Sequence, residues 1–445
     1  MLVLRPAAAV FLVLGLYWLP AQVVRENRFL LIWAGLIVLL ALAHLVPLPP
    51  QLWQTLPGRE LIAEIDRAVG LEGTWRPLTM TPEASRNALW SLVPPLACLV
   101  LALQLDRREL QQTLSLTIML GLISAVLGML QLLGDPRGPL YLYDFTNNGS
   151  AVGLYANRNH QALLLASLLP LLVLWARSGR GNSAGHPPRA GLMPSQLRGL
   201  LAAGAGAFLI PLILITGSRA GLMLGLVALL IAFGLILVDL RRRRHGRFAL
   251  SPAQQKVQRR TKWLMVLALV AGAVTLVGLS IDLQRDLAIE RLLTRDVTED
   301  ARAKTLPTVL RITHDYLPLG SGLGSFEKVY QIHEDNALLG PTYMNHAHND
   351  WLELVQTGGI PALGLLTALT AWWLLHLRSL AFSRRATSSA RGLAIAGSSF
   401  LMLAGLASIG DYPLRAPSLA CLFMLALAWI AQLSMTESGE PGTLR

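Results

Sequence analysis

The chain has 445 residues, 53% of them hydrophobic and only 14% charged, with a formal net charge of +12. A soluble globular chain carries about a quarter charged residues, so this composition excludes an ordinary soluble domain. The positive balance does not mark a nucleic-acid binder: it is gathered in loops between apolar runs, above all from Arg241 to Lys262, where no carboxylate occurs.

Apolar runs near 6–24, 29–47, 86–104, 114–134, 160–177, 199–216, 219–240, 263–281, 359–379, 392–410 and 417–436 follow one another along the chain. Each is close to the ~20 residues that cross a hydrocarbon core, which predicts roughly eleven to twelve transmembrane helices. Backbone in lipid must satisfy its own hydrogen bonds, so the expected fold class is an all-α integral membrane protein, a polytopic bundle. The first run is read as a helix of that bundle and not as a signal peptide, because a second apolar span follows at once. Cys98 and Cys421 both lie inside apolar runs and make no disulfide framework.

Basic loops fix the orientation. Arg241 to Lys262, Arg378 to Arg391, Arg107/Arg108 and Arg177 to Arg198 fall on the inner side by the same count of crossings. The outer side then receives 48–85, 135–159, the turn at 217–218, the segment 282–358 and the turn at 411–413. The expected organisation is membrane helices over 1–281, one large outer segment over 282–358, membrane helices over 359–436 and an inner tail over 437–445. Short amphipathic helices are expected near 302–315 and 350–357.

The polar motifs share one side. Arg158 and His160, in Asn157-Arg158-Asn159-His160, open one helix, and Arg219, in Gly217-Ser218-Arg219, opens another. Arg311, His346, His348, Asp411 and Arg415 fall on the same face. An arginine at a helix start either snorkels to lipid headgroups or joins the free N–H groups there in an anion site. Its planar fork suits phosphate. Arg311 lies on the 302–315 helix, either as a solvated residue or as part of the same site. Gly320-Ser321-Gly322-Leu323-Gly324-Ser325 follows no strand and lacks a P-loop lysine, so it is read as a flexible turn.

His346-Ala347-His348-Asn349-Asp350 admits a metal reading, but it leads into a helix and has no cysteine nearby, so no metal and no cofactor are assigned. Asp350 is expected to cap the helix, with Glu353 closing the cap. His348 then stands just ahead of a helix N-terminus, which favours the neutral ring that a general base needs. Asn349 is expected to orient a group or bind substrate.

At these residues the chain resembles the bacterial O-antigen ligase and O-antigen polymerase family. The family pattern is His, then Asn, Ser or Gln, nine residues, and a Gly-x-x-Gly turn. Here His348-Asn349 is followed after nine residues by Gly359-Ile360-Pro361-Ala362, with Ala362 in place of the last glycine. Asn157 to His160, Gly217 to Gly221, Gly322 to Phe326 and Asp411 to Arg415 resemble further family segments in the same order, and Trp75-Arg76-Pro77-Leu78 matches one upstream. The resemblance implies a GT-C-like glycosyltransferase of the bacterial inner membrane with its site facing the periplasm. The donor would be a glycan on a polyprenyl (undecaprenyl) diphosphate, and the acceptor a lipid or glycan. The resemblance further implies a metal-independent reaction with His348 as base, and Arg158, Arg219 and Arg311 for the diphosphate. His160, Asn349, Asp411 and Arg415 are expected to bind substrate.

Two readings from other classes remain. A flippase or other carrier of lipid-linked oligosaccharide needs polar groups near the bilayer midplane, whereas here the span centres are almost free of charge. A scaffold subunit would use the basic loop to dock acidic lipids or a partner.

Overall fold

A computed structural model describes residues 3–178, 195–245, 297–339, 343–382 and 387–435. The described residues are 74% helical with almost no strand, as in an all-α polytopic membrane protein. Among the described residues seven helices are long and apolar enough to cross a membrane. They are Pro82–Ala102, Arg107–Leu133, Arg158–Ser178, Gln196–Ile215, Arg219–Asp239, Asp350–Phe382 and Ser388–Ala407. Leu4–Tyr17, Arg28–Ala43 and Pro417–Leu433 are shorter apolar helices. The expected span at 263–281, the tail and most of the basic loop lie outside the described residues.

The chain forms two compact units that interleave in sequence. The first holds 1–104, 296–383 and 408–435; the second holds 105–295, 384–407 and the C-terminal residues.

The second unit is built around Arg158–Ser178. That helix is apolar on every side, and Leu163, Leu165, Ala166, Leu168 and Leu171 are wholly buried. A helix without a polar face belongs inside a bundle. Arg219–His245 and Ser195–Ile215 pack on it most closely, with Ser388–Ala407 and Arg107–Leu133 completing the shell. Small residues let the backbones approach: a side chain on Gly121 would strike Leu168, and one on Gly221 would strike Ala162. The shell helices turn large apolar residues outward, Leu116, Leu120, Ile123 and Leu130 among them. Such a face suits lipid and would aggregate in water.

In the first unit, Val93–Ala102 packs between Leu4–Tyr17 and the Pro417–Met435 helix. Arg28–Ala43 lies along Asp350–Phe382, where Trp33 Nε1 donates to the Leu365 carbonyl at 3.0 Å. The polar connections of this unit fold on one another. By the count of crossings 48–85 is an outer connection with no expected element. The structure makes it a two-stranded ribbon, Pro47–Leu48 with Arg76–Pro77, enclosing helices Pro50–Trp53 and Glu60–Ala68. Asp66 is buried there and accepts two bonds from Arg76, one at 2.6 Å from Nε. Those bonds hold the Asp66 carboxyl below its ordinary range.

The glycine-rich stretch at 320–324 is not the flexible turn expected of it. Ser321 and Ser325 are fully buried. Ser321 N–H donates to the Gln356 carbonyl at 3.1 Å, and Met80 N–H donates to the Ser321 carbonyl at 2.8 Å. Gly322 has φ +105 and lies so close to Thr79 that no side chain fits. The glycines serve close packing at left-handed backbone angles, not mobility.

Val297–Asp315 covers the expected 302–315 helix. The expected 350–357 helix is the start of Asp350–Phe382, which breaks at Gly359 with φ 64 and ψ −159. Gly359 presses on the Pro318 and Leu319 backbone, which only glycine permits.

Candidate active site

In the first unit, His348 sits two residues before the Asp350–Phe382 helix, in the stretch that follows the short helix Phe326–His333. It has φ 49, a left-handed angle that side-chain-bearing residues seldom adopt. Its Nδ1 lies 3.6 Å from Oδ1 of buried Asp411. Its ring centroid stands 5.0 Å from that of Tyr412, and the His346 ring lies on the same tyrosine at 4.4 Å.

The helix that follows is capped by Asn349 and not by Asp350. Asn349 Oδ1 accepts from the Leu352 N–H at 3.0 Å, and its carbonyl accepts from the Glu353 N–H at 3.0 Å. Either residue type caps well, and the helix begins one position earlier than a cap at Asp350 would place it. Asp350 and Glu353 are freed to face inward. Asp350 Oδ1 lies 3.3 Å from Arg415 Nε, and Glu353 Oε1 lies 3.1 Å from Arg415 Nη2. Glu353 also accepts from the Ala347 N–H at 2.9 Å and meets His346 Nδ1 at 3.0 Å.

His346, His348 and Asp350 thus have separate partners. Among the described residues no group of three or more His, Cys, Asp or Glu is arranged to hold a metal ion. Asn349, Asp411 and Arg415, expected to meet substrate, have protein partners: a helix end, an imidazole and two carboxylates.

Arg311 stands in the same unit on the exposed side of Val297–Asp315, and its Nη2 donates to the His333 carbonyl at 3.3 Å. The opposite side packs Val309, Ile312 and Tyr316 against Phe326, Val329 and Tyr330, with Ala347 and Leu352 resting on that cluster. The helix bearing Arg311 therefore also supports the backbone beside His348. Burial lowers the pKa of His333, Asp315 opposing and Arg311 reinforcing the shift.

In the second unit, Arg158 and Arg219 occupy equivalent places. Each is the first residue of its helix. Asn157 Oδ1 accepts from the Asn159 N–H at 2.8 Å, and Ser218 Oγ from the Gly221 N–H at 2.8 Å, so both helix starts are capped. A Cβ built on Gly217 would stand 3.7 Å from Arg158 Nη1, which puts that guanidinium beside the Gly217-Ser218-Arg219 turn. His160 is buried two residues further along, edge-on to Tyr155 at 6.2 Å. The structure thus brings Arg158 and the Arg219 turn together within one unit, and His348, Asn349, Asp411 and Arg415 within the other.

The ring of Tyr412 under both imidazoles and the inward turn of Glu353 are not foreseen by the sequence reading. Glu353 carried a signal, a carboxylate in the first turn beside an apolar run, but capping explained it equally well. Nothing in the sequence marks Tyr412 as the surface shared by two imidazoles.

Residues 204–367 match the family model described as O-antigen ligase. That segment, rather more than a third of the chain, is similar to the O-antigen ligase family. The matched segment contains Arg219, Arg311 and His348, while Arg158, His160, Asp411 and Arg415 flank it. The match supports a ligase- or polymerase-type membrane enzyme acting, in general terms, on a lipid-linked glycan and an acceptor. No curated protein matches the chain.

Proposed function

We propose that this O-antigen ligase-type protein transfers a glycan from a polyprenyl diphosphate, undecaprenyl in a bacterial inner membrane, to an acceptor hydroxyl at the periplasmic face, without a metal ion. The observation that carries the reading is the His348–Asp411 pair, a largely buried imidazole with a buried carboxylate behind it at 3.6 Å. With Nδ1–H turned to Asp411, Nε2 keeps the lone pair a base requires. The acceptor oxygen bonds to the anomeric carbon as the bond from that carbon to the diphosphate oxygen breaks. The hydroxyl proton passes to His348, and the electron pair leaves on the diphosphate. Asp411 balances the charge the ring gains.

Arg158, Arg219 and Arg311 are assigned to the diphosphate, whose growing charge needs fixed donors as it departs. Arg158 and Arg219 suit that role because each tops a helix whose N-terminal end favours anions. His160 lies in the first turn and is assigned to shaping that end.

The test is reconstitution of purified protein with a defined polyprenyl-diphosphate glycan and candidate acceptors. Transfer in EDTA by the wild type and none by His348→Ala is the expected result. Normal product from that variant removes the histidine from the mechanism, and loss in EDTA reversed by added metal overturns the metal-free reading. The lipid-linked glycan carrier remains the reading from another class. A strain lacking the protein distinguishes the two: unused donor gathers on the outer leaflet if the protein is a transferase, and on the inner leaflet if it is a carrier.

A further inference from the structure

We infer that Arg415 is a positioning residue for His348, clamped by Asp350 and Glu353, and does not bind the donor diphosphate. The inference rests on the transferase reading above and divides its arginines into two kinds.

Two carboxylates hold this guanidinium, at 3.3 Å on Nε and 3.1 Å on Nη2. One positive charge between two negative ones leaves an acidic surround, and buried Asp411 adds a third carboxylate nearby. A diphosphate brought here would meet net repulsion.

The connections show what the clamp fixes instead. Asp350 N–H donates to the Ser408 carbonyl at 3.0 Å and to the Asp411 carbonyl at 3.3 Å. Its carboxylate accepts from Ser408 Oγ at 3.3 Å and from the Leu414 N–H at 3.4 Å. The 408–415 turn, which carries Asp411 and Tyr412, is thereby laced to the start of the helix after His348. On the other side of the histidine, Glu353 holds the Ala347 N–H and the His346 ring. The backbone is pinned before and after His348, and that pinning sustains its left-handed angle. Arg415 joins both anchors. Without it two buried carboxylates face each other unbalanced, and both strands of the clamp loosen.

Full-length protein in lipid nanodiscs provides the test, with Arg415→Gln, Arg415→Lys, Glu353→Gln and the double variant E353Q/R415Q. A displaced base of this kind costs about 10²-fold in rate. Arg415→Gln and Glu353→Gln should therefore each lower kcat by about 10²-fold while the donor KM stays within about 2-fold, and the double variant should be little worse than either single one. Arg415→Lys, which keeps the charge, should recover part of the rate. Hydrogen exchange at the Ala347 amide should quicken in both Gln variants. A raised donor KM with kcat retained in Arg415→Gln, or full activity in Glu353→Gln, would return Arg415 to the diphosphate. Exchange needs no turnover, so an unchanged Ala347 amide would refute the clamp even if wild-type protein transferred nothing, the latter result counting against the transferase reading alone.

Discussion

Asp411 is separated from His348 by 63 positions of sequence, yet its carboxylate lies 3.6 Å from the His348 Nδ1. Asp411→Asn keeps the shape and removes the charge. Transfer should fall by about 10²–10⁴-fold, the range a positioned base supplies, with little change in donor KM. Steady-state kinetics on the reconstituted protein reads this directly. Arg219→Lys should act on the donor instead: a point charge does not reproduce the two-pronged contact with phosphate oxygens, so donor KM should rise several-fold or more. Equal kinetics for Arg219→Lys and wild type would remove that arginine from the diphosphate site. At this scale the residue types were legible in the sequence, but their partners were not. Arg415 was recognisable as a cation; that two carboxylates hold it depends on a chain reversal that no local pattern encodes. Asn349 and Asp350 are adjacent and both good caps, so only the fold decides between them.

Among the elements, the apolar helices were the most legible, because a run of about 20 apolar residues has few other fates. The ribbon and helices between 47 and 77 were not, since pairs of two residues rich in proline carry no period to detect. Their stability has an acid limit. Asp66 is held below its ordinary pKa by Arg76, so the folded state binds fewer protons there than the unfolded one. The stabilisation is complete above about pH 3.9 and is lost as pH falls through the lowered value. Protection of the 60–77 amides should weaken across that window in wild type and much less in Arg76→Met. The glycine knot is sensitive in a different way. Gly322→Ala must place a methyl group on Thr79 at a left-handed angle, and a destabilisation of more than about 1 kcal/mol is expected. Thermal unfolding in detergent measures it; an unchanged midpoint would mean that the loop yields without cost.

The whole chain is divided unevenly between sequence and space. Ser388–Ala407 shields Arg158–Ser178 although more than two hundred residues lie between their starts. The hydropathy profile shows two ordinary spans and no hint of this partnership, since lipid and protein neighbours look alike to an apolar side chain. The central helix is made early, and its last neighbour arrives close to the end of synthesis. Until then its uncovered flank is available to translocon components or membrane chaperones. Ribosomes stalled before residue 388 should hold a nascent chain whose central helix still crosslinks to insertion machinery, and release should follow only when Ser388–Ala407 emerges. Premature stop codons anywhere upstream should then yield fragments cleared by membrane proteases, never a half-protein that accumulates.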